Sequence, residues 1–317
     1  MHGLTGFVVR RLLLGLVTLF VTSVVIFAAT QALPGDAARS ILGRSATPES
    51  LAELQRQLGL DKPVLVQYVT WLGNAVRLDF GESYSQRRPV RDILLERFPR
   101  SMELAVLTMG LAMLWAIPLG VISAVRHNTW LDHVVRVLSI SGLSLPIFFT
   151  GVLILYLLVR VFRYLPPLEY SALTENPVEN LKQMIWPALA QAYYISAPIM
   201  RLTRSQMLEV VRQDYVRTAF AKGLSDRAVI YRHALRNSLL PVVTFIGWWG
   251  GRLLGGIVIM EIIFAVPGMG TALVQAVSYR DYPTVQAIVF VMALIFLAVN
   301  LVVDLLYGWL DPRIRLA

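Results

Sequence analysis

Gly142-Leu-Ser144 has the Gly-x-Ser spacing of a serine nucleophile, and a hydrolase built on it needs a histidine within hydrogen-bond reach. The four histidines, His2, His127, His133 and His233, all fall outside the chain's long apolar stretches, so Ser144 has no base at its own depth. A small-residue site for close helix packing accounts for Gly142 and Ser144 with fewer requirements. The chain has no cysteine, which excludes disulfides and thiolate metal sites, and no histidine-based metal site falls within an apolar stretch. Cradling ATP phosphates takes Gly-x-x-x-x-Gly-Lys-Ser/Thr. The lysines are Lys62, Lys182 and Lys222, and Lys222 precedes a glycine rather than following one. If nucleotide energy drives this protein, another subunit supplies it.

Charges inside apolar stretches are the second pointer, because a charge at membrane depth is costly. Glu103, Glu261 and Asp304 fall near stretch ends, where water or headgroups can solvate them. Arg252 lies eleven residues past Pro241, which is ~16 Å along a helix. Its surroundings, Gly247-Trp-Trp-Gly-Gly-Arg-Leu-Leu-Gly-Gly256, let a neighbouring helix or a substrate come close. Two readings of Arg252 stand: it pairs internally or across a subunit interface, or it lines a cavity.

These residues must be positioned by membrane-spanning helices. Hydrophobic residues make up 56% of the 317 positions and charged residues 15%, too little polar surface for a soluble domain of this size. Six stretches, 9–33, 101–125, 134–160, 186–202, 239–264 and 284–309, are long enough to cross a bilayer. The fourth is the most polar, with Gln191, Ser196 and Pro198 inside it. Arg10 and Arg11 resemble a signal-peptide start, but the apolar run to Ala29 is longer than a cleaved segment has, which predicts an uncleaved first helix. The net charge of +9 follows from Arg-rich loops at Arg10/Arg11, Arg126/Arg136, 201–236 and Arg313/Arg315, without nucleic acid as a partner. By the positive-inside rule those loops and both termini are cytoplasmic, giving six spans, N-in and C-in, in an all-α membrane protein. The expected division is a first helix at 1–33, an extracytoplasmic segment at 34–99, and a five-helix core at 100–317. Within the outer segment, Thr47-Pro48-Glu-Ser-Leu51 through Leu58-Gly59 predicts a capped helix with a Leu51/Leu54/Leu58 stripe. That stripe packs on the chain's own outer surface, serves as a platform for an extracytoplasmic binding protein, or does both.

The segment from Asp214 to Pro241 predicts two short helices and a hinge on the cytoplasmic side. Asp214 can cap the first, Gly223 can end it in the left-handed conformation, and Ser225 or Asp226 can cap the second. A structured basic knob on one face of a membrane predicts a soluble docking partner.

Asp214-Tyr-Val-Arg-Thr-Ala219-x-Ala-Lys-Gly223-Leu, followed by His233-Ala-Leu-Arg-Asn-Ser-Leu-Leu-Pro241, resembles the "EAA" coupling loop of ABC importer permeases of the dipeptide/oligopeptide/nickel family. The likeness extends over nearly the whole chain. It takes in Leu33-Pro-Gly-Asp36, Asp79-Phe-Gly-Glu-Ser83 with Pro89-Val90, Ser101-Met-Glu-Leu104, and Gly142-Leu-Ser-Leu-Pro146. Phe264 with Pro267-Gly268, Arg280-Asp-Tyr-Pro283, Val303-Asp-x-Leu-Tyr307 and Asp311-Pro-Arg-Ile-Arg315 complete it. In the general pattern the Glu position falls at Arg217 and the next Ala at Thr218, departures that fit the peptide/nickel branch.

The resemblance implies a type I importer permease, itself non-catalytic, in the bacterial cytoplasmic (inner) membrane. Its partners would be a second homologous permease, two cytoplasmic ATPases that bind ATP and Mg, and an extracytoplasmic solute-binding protein. Within a coupling loop at 203–238, ATPase contact falls to Asp214, Tyr215, Arg217, Thr218, Ala219, Ala221, Lys222 and Gly223. Asp79, Phe80 and Gly81 are candidates for docking the binding protein, and Arg252, Ser144 and Glu261 for lining the path. No cofactor or metal would bind this chain. Di- and oligopeptides, glutathione and nickel chelates are all substrates within this family, and a mid-depth Arg favours a peptide carboxylate over bare metal. From other classes, a self-contained secondary transporter would carry coupling carboxylates or histidines at mid-membrane, and a membrane hydrolase would need a base or metal there.

Overall fold

The computed structural model describes residues 4–32, 42 and 47–310, so His2, Leu33-Pro-Gly-Asp36 and Asp311-Pro-Arg-Ile-Arg315 lie outside the described residues. The chain forms two compact units, Met1–Ser101 with Pro267–Ala298, and Met102–Val266 with Val299–Ala317. Among the described residues the structure is helical, with a single isolated β-bridge between Glu82 and Pro89.

The first unit contains α1 (Leu4–Ala32), α2 (Pro48–Gln57), α3 (Val64–Val76), the start of α4 (Val90–Val125), α10 (Met269–Ser278) and the start of α11 (Tyr282–Leu310). α2 has the ends its sequence predicts. Thr47 Oγ1 accepts from the Ser50 amide at 3.2 Å, Ser50 Oγ accepts from the Thr47 amide at 2.9 Å, and Gly59 follows at φ +66°. Its Leu51, Leu54 and Leu58 stripe is half-buried. An aromatic cluster forms the centre of the unit. Phe27 meets Tyr68 and Trp71 at 5.4 and 5.8 Å, and Phe290 meets Trp71 and Phe80 at 6.0 and 6.3 Å. α4 begins at Val90 rather than 101, because Val90, Ile93 and Leu94 are buried and carry the helix outward beyond the apolar stretch.

The second unit contains the rest of α4, α5 (Trp130–Ser144), α6 (Ile147–Arg160), α7 (Pro177–Val211), α8 (Asp214–Ala221), α9 (Leu235–Ile263) and the end of α11. The 134–160 stretch is not one straight helix. α5 and α6 meet at 107°, because Pro146 has no amide hydrogen and holds Leu145 extended at φ −84°, ψ 128°. α7 is the centre of this unit, with α5, α6 and α9 packed on it. Glycines permit close approach to α7: a Cβ on Gly142 of α5 would stand 2.9 Å from Ala197 Cβ, and one on Gly120 of α4 would stand 2.7 Å from Thr203 Cβ.

Among the described residues three helices are long and apolar enough to cross a bilayer, Val8–Ala32, Val90–Val125 and Tyr282–Leu305. The number is five if α5 with α6, and the bent helix ending at Ile263, each count as one span. α7, which buries Asn180, Gln183 and Gln191, is not among them.

Candidate functional site

α8 ends as the sequence predicts, with Gly223 at φ +77°. The caps differ. Gln213 occupies the N-cap position, while Asp214 is a first-turn residue whose carboxylate sits at the positive end of the helix dipole. Ser225 precedes the next turn without a side-chain capping bond. That turn, Asp226–Ala228, is not an independent short helix: it runs through a π-turn, Val229–Ala234, directly into α9. The wider turn lets Val229 pack with Val216 and Ala219 of α8, while Ala234 packs with Val121, Ala124 and Met207. The knob is therefore one short helix held by a glycine and a small apolar cluster against the root of a long one.

Its residues sort by direction. Val216 is fully buried and Ala219 is 7% exposed, so Ala219 is small to fit its own chain's Val229 and Val210. Asp214, Tyr215, Arg217, Thr218, Phe220, Ala221 and Lys222 are exposed. The Tyr215 hydroxyl accepts from Asn237 Nδ2 at 2.8 Å, a further tie between α8 and α9.

Asp132 and Arg204, which sequence reasoning passed over, fix the framework beside the knob. Arg204 grips the buried Asp132 carboxylate with two bonds, from Nε at 2.8 Å and Nη2 at 2.9 Å. Ser123 Oγ donates to the same carboxylate at 2.6 Å and the Asn128 amide at 3.0 Å. One carboxylate thus ties the end of α4, the 126–129 turn and the start of α5 to α7, close in sequence to α8. The available signal was an isolated acid among Arg126, His133 and Arg136.

Arg252 and Ser144 share a groove of about 500 Å³ whose other walls include Gln191, Tyr194, Trp249 and Gly255. The guanidinium stands 4.7 Å from the Trp248 ring centre and 5.9 Å from that of Trp249. It is exposed, and among the described residues it forms no ion pair. Its charge is therefore open to the groove rather than enclosed among helices. Ser144 donates to the Ile140 carbonyl at 2.9 Å. Gln191 Nε2 donates to the Leu253 carbonyl at 3.0 Å, whereas Gln191 Oε1 and Trp249 Nε1 are buried without a partner among the described residues. Glu261 is fully buried on α9 and does not line this groove. The glycines flanking Arg252 divide the work: a Cβ on Gly247 would lie 2.6 Å from Val303, while one on Gly255 would meet nothing within 4 Å.

In the first unit, Asp79 Oδ1 accepts from the Gly81 amide at 3.1 Å and Gly81 has φ +73°. Asp79 and Gly81 are exposed at a polar cleft of about 610 Å³, while Phe80 is turned into the core. The next residues join a distant motif. Buried Asp281, at the start of α11, accepts from the Ser83 hydroxyl, from Ser85 Oγ at 2.7 Å, and from the Tyr84 amide at 3.1 Å. The Tyr84 phenol is pushed up to about 12, first by burial and then by the negative charge of Asp281. Among the described residues no group of three or more His, Asp or Glu could hold a metal.

Comparison with known proteins agrees over the length of the chain. Residues 116–316 match the family "Binding-protein-dependent transport system inner membrane component", and residues 4–105 match its N-terminal membrane component. The dipeptide transport system permease protein DppB of Alkalihalophilus pseudofirmus is 35% identical, over 98% of this chain and 99% of the relative. The glutathione transport system permease protein GsiC of Escherichia coli K12 is 39% identical over the same shares. The crystal structure of an amino acid ABC transporter with histidines shares the fold at TM-score 0.56 and 13% identity, over 69% of this chain and 94% of that one. With matches of this extent, the chain belongs to the inner-membrane permease components of binding-protein-dependent ABC transport systems.

Proposed function

We propose that this chain is one of a pair of permease subunits that import di- and oligopeptides, glutathione being within that class, on energy from two cytoplasmic ATPases. The observation that carries this reading is the knob: α8 is locked to its own chain by Val216 and Ala219, yet keeps Asp214, Tyr215, Arg217 and Phe220 outward. A short rigid helix of that kind suits a cleft in an ATPase, whose closure would move α8 and α9 together. ATP and loaded binding protein would favour the same state of the pair. The Arg-rich loops support six spans with both termini in the cytoplasm. α7 serves as the fourth span, because a helix enclosed by protein tolerates the polarity of Gln183 and Gln191. Asp79 and Gly81 would then face the extracytoplasmic binding protein. Peptides fit as cargo because relatives are named for dipeptide and glutathione transport, and an exposed Arg252 suits their carboxylates.

Mass spectrometry of what co-purifies with this chain from its native membrane, with ATPase activity assayed on the same sample, tests the reading. Recovery of a second permease and P-loop ATPases supports it. A solitary chain without ATPase activity overturns it.

A further inference from the structure

We propose that the groove around Arg252 is a subsite that binds the free α-carboxylate of a peptide as it passes through the permease, an inference that rests on the peptide-importer reading. The groove offers an exposed guanidinium whose neighbours are two tryptophan faces and, among the described residues, no carboxylate. Ring faces attract a cation but do not neutralise it, so the exposed guanidinium stays available to an anion from outside those residues. A passing peptide carries such an anion at its C-terminus.

The rest of the wall suits the group next to that carboxylate. Gln191 is 1% exposed, and its Oε1 is an acceptor left without a partner, which matches a peptide N–H. Trp249 Nε1 is an unused donor, which matches a peptide carbonyl. Pro146, the N-cap of α6, and Ile147 line the same groove, so the positive end of that 14-residue helix borders it. Gln191 Oε1 and Trp249 Nε1 both lie buried beneath the groove surface, and the adjoining wall includes the α5–α6 break at Leu145–Pro146, where helical hydrogen bonding is interrupted. Gly255 keeps the floor open, since a side chain there would project into empty space. At about 500 Å³ the groove is of ligand-pocket size.

The test uses the complete importer, purified with its partner subunits and reconstituted in liposomes with ATP inside. Uptake of a dipeptide and of its C-terminal amide is compared with the binding protein fully loaded by each, so that its own affinities drop out. The wild type is expected to transport the free acid faster by about tenfold, the size of a partly screened charge pair. Arg252→Gln is expected to level the two substrates, and Arg252→Lys to keep part of the preference. Equal wild-type rates for acid and amide overturn the proposal, and that comparison stands even if Arg252→Gln fails to assemble. Slowing of both substrates alike in Arg252→Gln also overturns it, and assigns Arg252 to an ion pair with the second permease. Absence of ATP-driven uptake of any peptide by the wild type overturns the importer reading itself, and this subsite with it.

Discussion

Replacing Asp132 by Asn tests whether the framework beside the knob is held by one carboxylate. The substitution keeps the side chain's shape and removes the charge that Arg204 grips through two bonds of 2.8 and 2.9 Å. Breaking one side of a buried ion pair costs about 3–5 kcal/mol. Arg204 retains 19% exposure, so water recovers part of that loss and the lower end, about 3 kcal/mol, is expected. For a unit of this size the heat-unfolding midpoint should fall by roughly 6–12 °C. Arg204→Gln alone should fall by a similar amount, and the double variant by much less than the sum, with a coupling of about 2 kcal/mol. The assay is thermal unfolding of the purified complex, run beside uptake and ATP hydrolysis. Because Arg204 precedes α8 on the same helix–turn unit, both single variants should also lower uptake more than hydrolysis. Midpoints within about 2 °C of wild type for both single variants, with additive effects, would mean that the Asp132–Arg204 pair does not hold the framework.

Three other outcomes follow from the geometry. Gly223→Leu meets no steric obstacle at Cβ but forces a left-handed backbone on a branched residue, costing about 1–2 kcal/mol. It should uncouple hydrolysis from uptake, and unchanged uptake would count against the coupling role of α8. Ala219→Leu overpacks the cluster with Val216 and Val229 by about 1–3 kcal/mol and should tilt α8, lowering uptake while the ATPases remain active, as paired uptake and phosphate-release assays would read. For Tyr84, the folded phenol titrates near 12, above the ordinary 10. Its contribution to the first unit is full below pH ~10 and is lost as pH rises towards ~12. Tyr84→Phe should remove that alkaline loss, as read by unfolding measured against pH.

Local punctuation was legible in the sequence, and long-range pairing was not. Thr47, Ser50 and Gly59 set the ends of α2, and Gly223 ends α8, because caps and left-handed glycines depend on a few adjacent residues. The break at Pro146 carried its signal in the proline itself. The apolar run continues on both sides of it, and periodicity alone gave a single span. The π-turn at Val229–Ala234 left no local mark, since it arises from burying Val229 on one side and Ala234 on the other. Asp132 meets a partner 72 positions away, and Asp281 meets Ser83 across 198, separations that spacing rules do not reach. Ala219 was expected among the ATPase contacts, whereas its neighbours are Val216, Val229 and Val210 of its own chain. Arg252 and Ser144 were singled out separately and share one groove, from which Glu261 is absent.

Disulfide cross-linking checks whether α8 is the contact through which ATPases would drive this permease. The chain has no native cysteine, so a single Arg217→Cys on the outward face of α8 gives a signal without background. In membranes holding the complete transport system and an ATPase with one matching surface cysteine, a cross-link to the ATPase is expected, with a yield that changes when ATP is added. Cross-linking to no ATPase under any nucleotide condition, while the complex still imports peptide, would contradict that role of α8.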